Sequence, residues 1–233
     1  ASVTKLFTAV AVLVAAEEGV LDLDEPAGPP GSTVRHLLAH ASGLPFDGPR
    51  PIAEPGRRRI YSNTGFEQLG EHLAERAEMP FAAYLSAAVL EPLELDGTTL
   101  AGSPAAGLRG PLADLLAFAG ELQAPTLVAP ETLAEATSVA FPGLVGVLPD
   151  FGRFEPLDWG LGFEIRDGKS PHWTGSANSN RCYGHFGQSG TFLWVDPDAD
   201  LALVVLTDRN FGDWTYERWP VLSDGVLREF GSD

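Results

Sequence analysis

The stretch Ala1-Ser2-Val3-Thr4-Lys5, running on into Leu6–Ala16, constrains the fold more than any other part of the chain. Val3, Leu6, Phe7, Val10, Leu13 and Val14 fall at the three-and-four spacing of one helical face. Ala9, Ala11, Val12 and Ala15 make the opposite face apolar as well. A helix that is apolar all round has to lie inside a core, so the remaining chain must wrap it. Glu17-Glu18-Gly19 ends it, because glycine takes the left-handed conformation without strain. On this helix Ser2 and Lys5 are three residues apart and share a face. A hydroxyl beside a buried amine is a candidate nucleophile and base, written Ser-x-x-Lys. Two plainer readings compete with it. One is a secretory leader, against which the two glutamates closing the apolar run argue. The other is core packing, with Ser2 as an N-cap and Lys5 snorkelling to solvent. The pair therefore needs partners later in the chain.

Charge and composition narrow the function. Fifteen basic against thirty-two acidic residues give a net charge of −17, which argues against nucleic acid or an anionic membrane surface as partner. No apolar run approaches about eighteen residues, so no membrane span is expected. The 233 residues suit one domain with a real core. Cys182 is the sole cysteine and reads as a small core residue, with no disulfide framework. His36, His40, His72, His172 and His185 show no metal-ligand spacing, so neither a metal nor a cofactor is expected.

Period and breakers outline the elements. Val20–Pro26 reads as a short extended piece, followed by a helix capped by Ser32 or Thr33 and running through His40. Residues 45–59 form a Pro- and Gly-rich loop whose Arg57-Arg58-Arg59 reads as solvated. Helices are expected over about 63–77, 80–89, 112–122, 131–137 and 214–230, and strands near 159–166, 188–195 and 201–207. The fold class is α+β: an antiparallel sheet flanked by the N- and C-terminal helices, with a mostly helical lobe inserted. Residues 1–19 and 150–233 form the helix and sheet lobe of a single domain, and 20–149 the helical lobe.

Two further motifs give Ser2 its context. Tyr61-Ser62-Asn63 lies where a loop passes into a helix, and His185-Phe186-Gly187 where a strand begins. Ser-x-x-Lys, Tyr-Ser-Asn and His-x-Gly, in that order, resemble the three-motif signature of serine beta-lactamases and penicillin-binding proteins. The likeness is to the class C-like branch in particular, with its D-alanyl-D-alanine carboxypeptidases, D-amino acid peptidases and esterases. It extends over nearly the whole chain, through Ala1–Thr8, Glu18–Asp24, Val34–Leu44, Trp159–Phe163 and Gly184–Gly190.

The resemblance implies a beta-lactamase/transpeptidase-like fold and a serine acyl hydrolase that forms an acyl-enzyme on Ser2. Lys5, desolvated, would have a lowered pKa. Tyr61 would join it as a proton shuttle, a phenolate being favoured beside an ammonium, and the choice of base between the two stays open. Asn63 would bond Lys5 and the substrate amide or ester. The backbone N–H groups of Ser2 and Gln188 would form the oxyanion hole, and Gly187 would let substrate lie close to the strand edge. Relatives that act on penicillins or peptidoglycan often carry Lys where this chain has His185. A histidine is mostly neutral near pH 7, which tilts the expectation toward an esterase or peptidase-like hydrolase of a small-molecule or peptide-like acyl substrate. The oligomeric state is left open. Relatives also carry a segment ahead of Ser-x-x-Lys, so the sheet is expected to lack the usual N-terminal strands and to keep about three. With little between Leu100 and Leu112, the cleft is expected to be wide and open. The rival reading is a non-catalytic binding or sensor module, or a truncated inactive fragment, with the same fold.

Overall fold

In the computed structural model, which describes residues 1–231, helix α1 (Thr4–Glu17) is the axis of the molecule. Every residue from Thr4 to Ala15 is buried. The helix ends as its sequence predicts. The Val20 N–H bonds the Ala15 carbonyl and the Gly19 N–H the Ala16 carbonyl, with Gly19 at φ +71°. The other end departs from the plain readings. Ser2 lies in a tight turn ahead of α1, where the Thr4 and Lys5 N–H groups bond the Ala1 and Ser2 carbonyls, and no side chain caps the helix. Lys5 is 0% exposed and does not snorkel. Ser2 is therefore no N-cap, and Lys5 is wholly enclosed.

Around α1 the chain lays down α2 (Val34–Leu38), β1 (Arg59–Ile60), α3 (Asn63–Arg76) and α4 (Phe81–Leu85). The helix expected through Val89 changes after Leu85 into a π-helical turn over Ser86–Leu90. A hairpin of β2 (Thr99–Leu100) and β3 (Leu108–Arg109) follows, then α5 (Leu112–Gln123), α6 (Pro130–Ala136), β4 (Gly146–Leu148) and β5 (Gly152–Phe154). β1 pairs in parallel with β4, which pairs antiparallel with β5. Val20–Glu25 is irregular and turn, not extended strand, and only Pro26 pairs, in an isolated antiparallel bridge with Thr33.

The main sheet is antiparallel in the order β6 (Glu164–Ile165), β7 (Tyr183–Gly187), β8 (Thr191–Asp196), β9 (Leu201–Val205), and α7 (Asp213–Phe230) follows it. It has four strands where the sequence suggests three. The stretch read as one strand over 188–195 is the second arm of a hairpin whose turn spans Gln188–Gly190. Gly190, at φ +77°, is a true requirement there: a Cβ would stand 1.9 Å from the Arg209 carbonyl oxygen. Of the expected 159–166 strand only two residues pair in the sheet. The α+β class of the sequence reading stands.

β8 explains how this small sheet holds. Its alternating side chains enter two cores, Leu193 and Val195 the one built on α1, Phe192 and Trp194 an aromatic one with Trp173 and Trp219. Trp219 of α7 meets Phe192 at 4.9 Å, and the Trp194 indole N–H donates to Ser223 Oγ. α1 and α5 pack on one face and α7 on the other. No helix among the described residues is long and apolar enough to cross a membrane.

Two buried charges fix the loops. Arg59, expected in solvent, is 1% exposed. Its guanidinium donates to the carbonyls of Leu157, Ala39 and Ala140, so one side chain ties three loops together. Burial lowers its pKa to about 10. Glu164 lies 2.8 Å from the Lys169 ammonium and 2.9 Å from His172 Nε2, and accepts from the Trp173 indole. Burial opposes its ionisation, but His172 and Lys169 outweigh it and hold its pKa at about 2. Breaking a buried pair leaves an uncompensated charge. Glu164→Gln is therefore expected to lower stability by about 3 kcal/mol or more, read as a fall in the urea midpoint.

Candidate active site

Residues from three distant parts of the chain meet above the N-terminal end of α1. The middle group is placed by a helix cap. Ser62 Oγ accepts from the Gly65 N–H and donates to the Pro45 carbonyl, while the Ser62 N–H donates to Nδ1 of the buried His40. Tyr61 is thereby fixed just before α3 and Asn63 just inside it, each turned toward α1.

Hydrogen-bond directions in this cluster are decided by atom type. Lys5 Nζ lies 2.7 Å from Asn63 Oδ1, 2.9 Å from the Ala105 carbonyl oxygen and 3.3 Å from Ser2 Oγ. The Tyr61 hydroxyl donates to Ser2 Oγ at 2.8 Å. Two of the three Lys5 partners are carbonyl oxygens, which can only accept. As an ammonium Lys5 donates to all three, Ser2 Oγ included; as a neutral amine it keeps its two N–H groups for Asn63 and Ala105 and turns its lone pair to Ser2.

Burial brings that neutral amine within reach of physiological pH. It lowers the Lys5 pKa to about 7, with Glu67 and Asp47 opposing the shift from a distance. No carboxylate among the described residues lies within ion-pair distance of it. Burial pushes the Tyr61 phenol well above its ordinary value, and the bond to Ser2 offsets this only in part. The phenolate favoured by the sequence reading is thus replaced by a phenol that donates.

The third motif lies against the first. A Cβ on Gly187 would stand 3.2 Å from the Ser2 backbone nitrogen and 2.9 Å from both Ala1 Cβ and Thr191 Oγ1. Gly187 is therefore needed for close approach of β7 to Ser2. Gln188, next along, lines the same cleft and donates its side-chain amide to Asp150 Oδ2 at 2.7 Å. His185 lies with its ring 5.5 Å from that of Tyr61 and 5.7 Å from that of Trp159. Its Nδ1 is 2.6 Å from the Phe186 carbonyl oxygen, so the hydrogen is on Nδ1 and Nε2 presents a lone pair. Burial first, then Lys5, holds its pKa at about 3, and the ring is uncharged.

Ser2, Lys5, Tyr61, Asn63, His185, Gly187 and Gln188 are thus all brought together, the first four by direct hydrogen bonds. The Ala105 carbonyl escaped the sequence reading because any residue type supplies one. It comes from the loop of the β2–β3 hairpin, which is held to α1 by Thr8 Oγ1 donating to the Pro104 carbonyl and by the Leu108 N–H donating to Thr4 Oγ1. The expectation of a wide, open cleft is corrected on this side, since the short stretch after Leu100 closes over Lys5. What stays open is a cavity of ≈ 580 Å³ reaching from Ser2 and Tyr61 past Trp159 to Phe46, Ile52 and Val147. Cys182 is buried, and burial pushes its thiol pKa up, as befits a core residue.

Comparison with known proteins bears on the chain as a whole. A family model described as Beta-lactamase matches residues 1–224. The crystal structure of a beta-lactamase from Mycobacterium bovis superposes with a TM-score of 0.98 at 57% identity, over 100% of this chain and 86% of that one. The D-alanyl-D-alanine-carboxypeptidase/endopeptidase AmpH of Escherichia coli strain K12 is 27% identical over 141 residues, 45% of this chain and 37% of AmpH. Penicillin-binding protein 4* of Bacillus subtilis strain 168 is 27% identical over 131 residues, 42% of this chain and 29% of its own length. The match to these two curated relatives therefore spans about a third of their length.

Two outcomes follow from the geometry. Below pH 7 Lys5 is an ammonium with no lone pair for the Ser2 proton, and above it the amine is free. Modification of Ser2 by a fluorophosphonate should accelerate with pH through about 7 and then level off. An unshifted lysine would instead drive the rise on toward pH 10. Gly187→Ala, which crowds the Ser2 nitrogen, should slow the same reaction at least about tenfold while far-ultraviolet circular dichroism is retained.

Proposed function

Since this chain belongs to the Beta-lactamase family, we propose that it is a serine acyl hydrolase working through a covalent acyl-enzyme on Ser2. The observation that carries the reading is the convergence on Ser2 Oγ: the Tyr61 hydroxyl donates to it at 2.8 Å, and Lys5 Nζ, whose pKa burial lowers to about 7, lies 3.3 Å away. In acylation Ser2 Oγ attacks the carbonyl carbon and its proton passes to Lys5. The carbonyl oxygen becomes an oxyanion, held by the Ser2 N–H and, by family likeness, the Gln188 N–H. When the bond to the leaving group breaks, Tyr61 gives that group its proton and recovers one from Lys5. Water then repeats the sequence in reverse: the amine takes its proton, the hydroxide attacks the ester on Ser2, and Oγ leaves with a proton returned through Tyr61.

Asn63 serves this cycle by taking one N–H of Lys5, which keeps the amine aimed. The names of the relatives bring beta-lactams and D-alanyl peptides forward as substrates. The uncharged His185 favours an ester or amide without a carboxylate opposite it. The test is incubation with a p-nitrophenyl ester and with a penicillin, followed by intact-mass measurement. An acyl adduct on Ser2 that turns over, with Ser2→Ala lowering kcat/KM by about 10³-fold or more, supports the hydrolase. Equal activity in Ser2→Ala rejects it, and a stoichiometric adduct that is never released supports a sensor instead.

A further inference from the structure

The cavity beside Ser2 has a mouth unlike the rest of the surface. Phe46, Ile52 and Val147 line it at 50%, 63% and 52% exposure, from two segments a hundred residues apart in sequence. Phe46 lies over the Tyr61 ring, with centroids 5.9 Å apart and planes at 25°. Val147 points outward from β4 because Gly146 and Leu148 take the buried side of that strand. Single exposed apolar side chains are ordinary on a protein surface. Three converging on a nucleophile mark a binding wall.

The polar groups of the cavity do not offer a carboxylate a deep partner. Nε2 of His185 is buried, carries a lone pair and has no hydrogen-bond partner in the protein, so an anion beside it would set two acceptors face to face. The guanidinium of Arg59 is consumed by backbone carbonyls. Asp150 is engaged by Gln188. Arg58 is the cation at the rim, and it is exposed.

From these contacts, and resting on the acyl-hydrolase reading above, we propose that the cavity selects neutral esters bearing a bulky apolar group and discriminates against carboxylate-bearing substrates. A group of six to eight carbons would lie along Phe46, Ile52 and Val147 while the ester carbonyl meets Ser2. The neutral His185 would face an uncharged part of the substrate, at most a hydrogen-bond donor.

The test is a series of p-nitrophenyl esters from acetate to octanoate. kcat/KM is expected to climb at least tenfold by hexanoate, and the double variant Ile52→Asp, Val147→Asp to cut the hexanoate-to-acetate ratio at least fivefold with melting unchanged. A flat series in the native chain overturns the proposal. So does a preference for penicillin or a D-alanyl peptide that Arg58→Ala removes, which would place a carboxylate at the rim. If no ester is hydrolysed and none leaves an adduct on Ser2, or if Ser2→Ala hydrolyses them equally, the hydrolase reading itself has failed. Calorimetric binding of methyl hexanoate and methyl acetate to the Ser2→Ala chain then decides the cavity separately: tighter hexanoate binding supports the apolar wall, and equal binding overturns it.

Discussion

A lysine buried without a counter-ion is the constraint on which the rest of this structure depends. An isolated ammonium in an apolar interior is so unfavourable that the group sheds its proton instead. That outcome requires α1 to be enclosed on every side, and its unbroken apolar sequence ensures that it is. The same enclosure supplies neutral acceptors, Asn63 and the Ala105 carbonyl, which orient the amine without restoring its charge. Other buried charges are treated differently. Glu164 keeps its charge through Lys169 and His172, and Arg59 keeps its own through carbonyl oxygens. Of the three only Lys5 is left near its neutral form, and it is the one beside a hydroxyl.

Much of this was legible in the order of the residues. The apolar periodicity of α1 requires burial, Ser2 and Lys5 share a face by spacing, and Tyr61-Ser62-Asn63 stands where a loop passes into a helix. What was not legible depends on tertiary partners. Arg59 looks like its exposed neighbour Arg58 until the loops at Ala39, Ala140 and Leu157 are seen to converge on it. The first arm of the hairpin at Gln188–Gly190 was not legible, because Tyr183–Gly187 has glycine at two of its five positions and lacks the apolar alternation of a strand. Tyr61 leans toward the phenol and not the phenolate, since burial, which sequence does not give, raises its pKa and the bond to Ser2 offsets this only in part.

The apolar mouth was invisible for a related reason. Phe46 and Ile52 belong to a loop of Pro and Gly, and Val147 to a strand of three residues, so no local pattern links them. They are joined by the parallel pairing of β1 with β4, which also brings Tyr61 to the same wall. One short ladder thus sets both the chemistry and the shape of the cavity.

The placement of Ser2 at the head of the most deeply enclosed helix has a consequence for how this molecule must be made. Its hydroxyl and its backbone nitrogen meet groups from segments about sixty and a hundred and eighty positions away. The cluster therefore exists only once those segments have closed over α1, and no shorter stretch of the chain contains it.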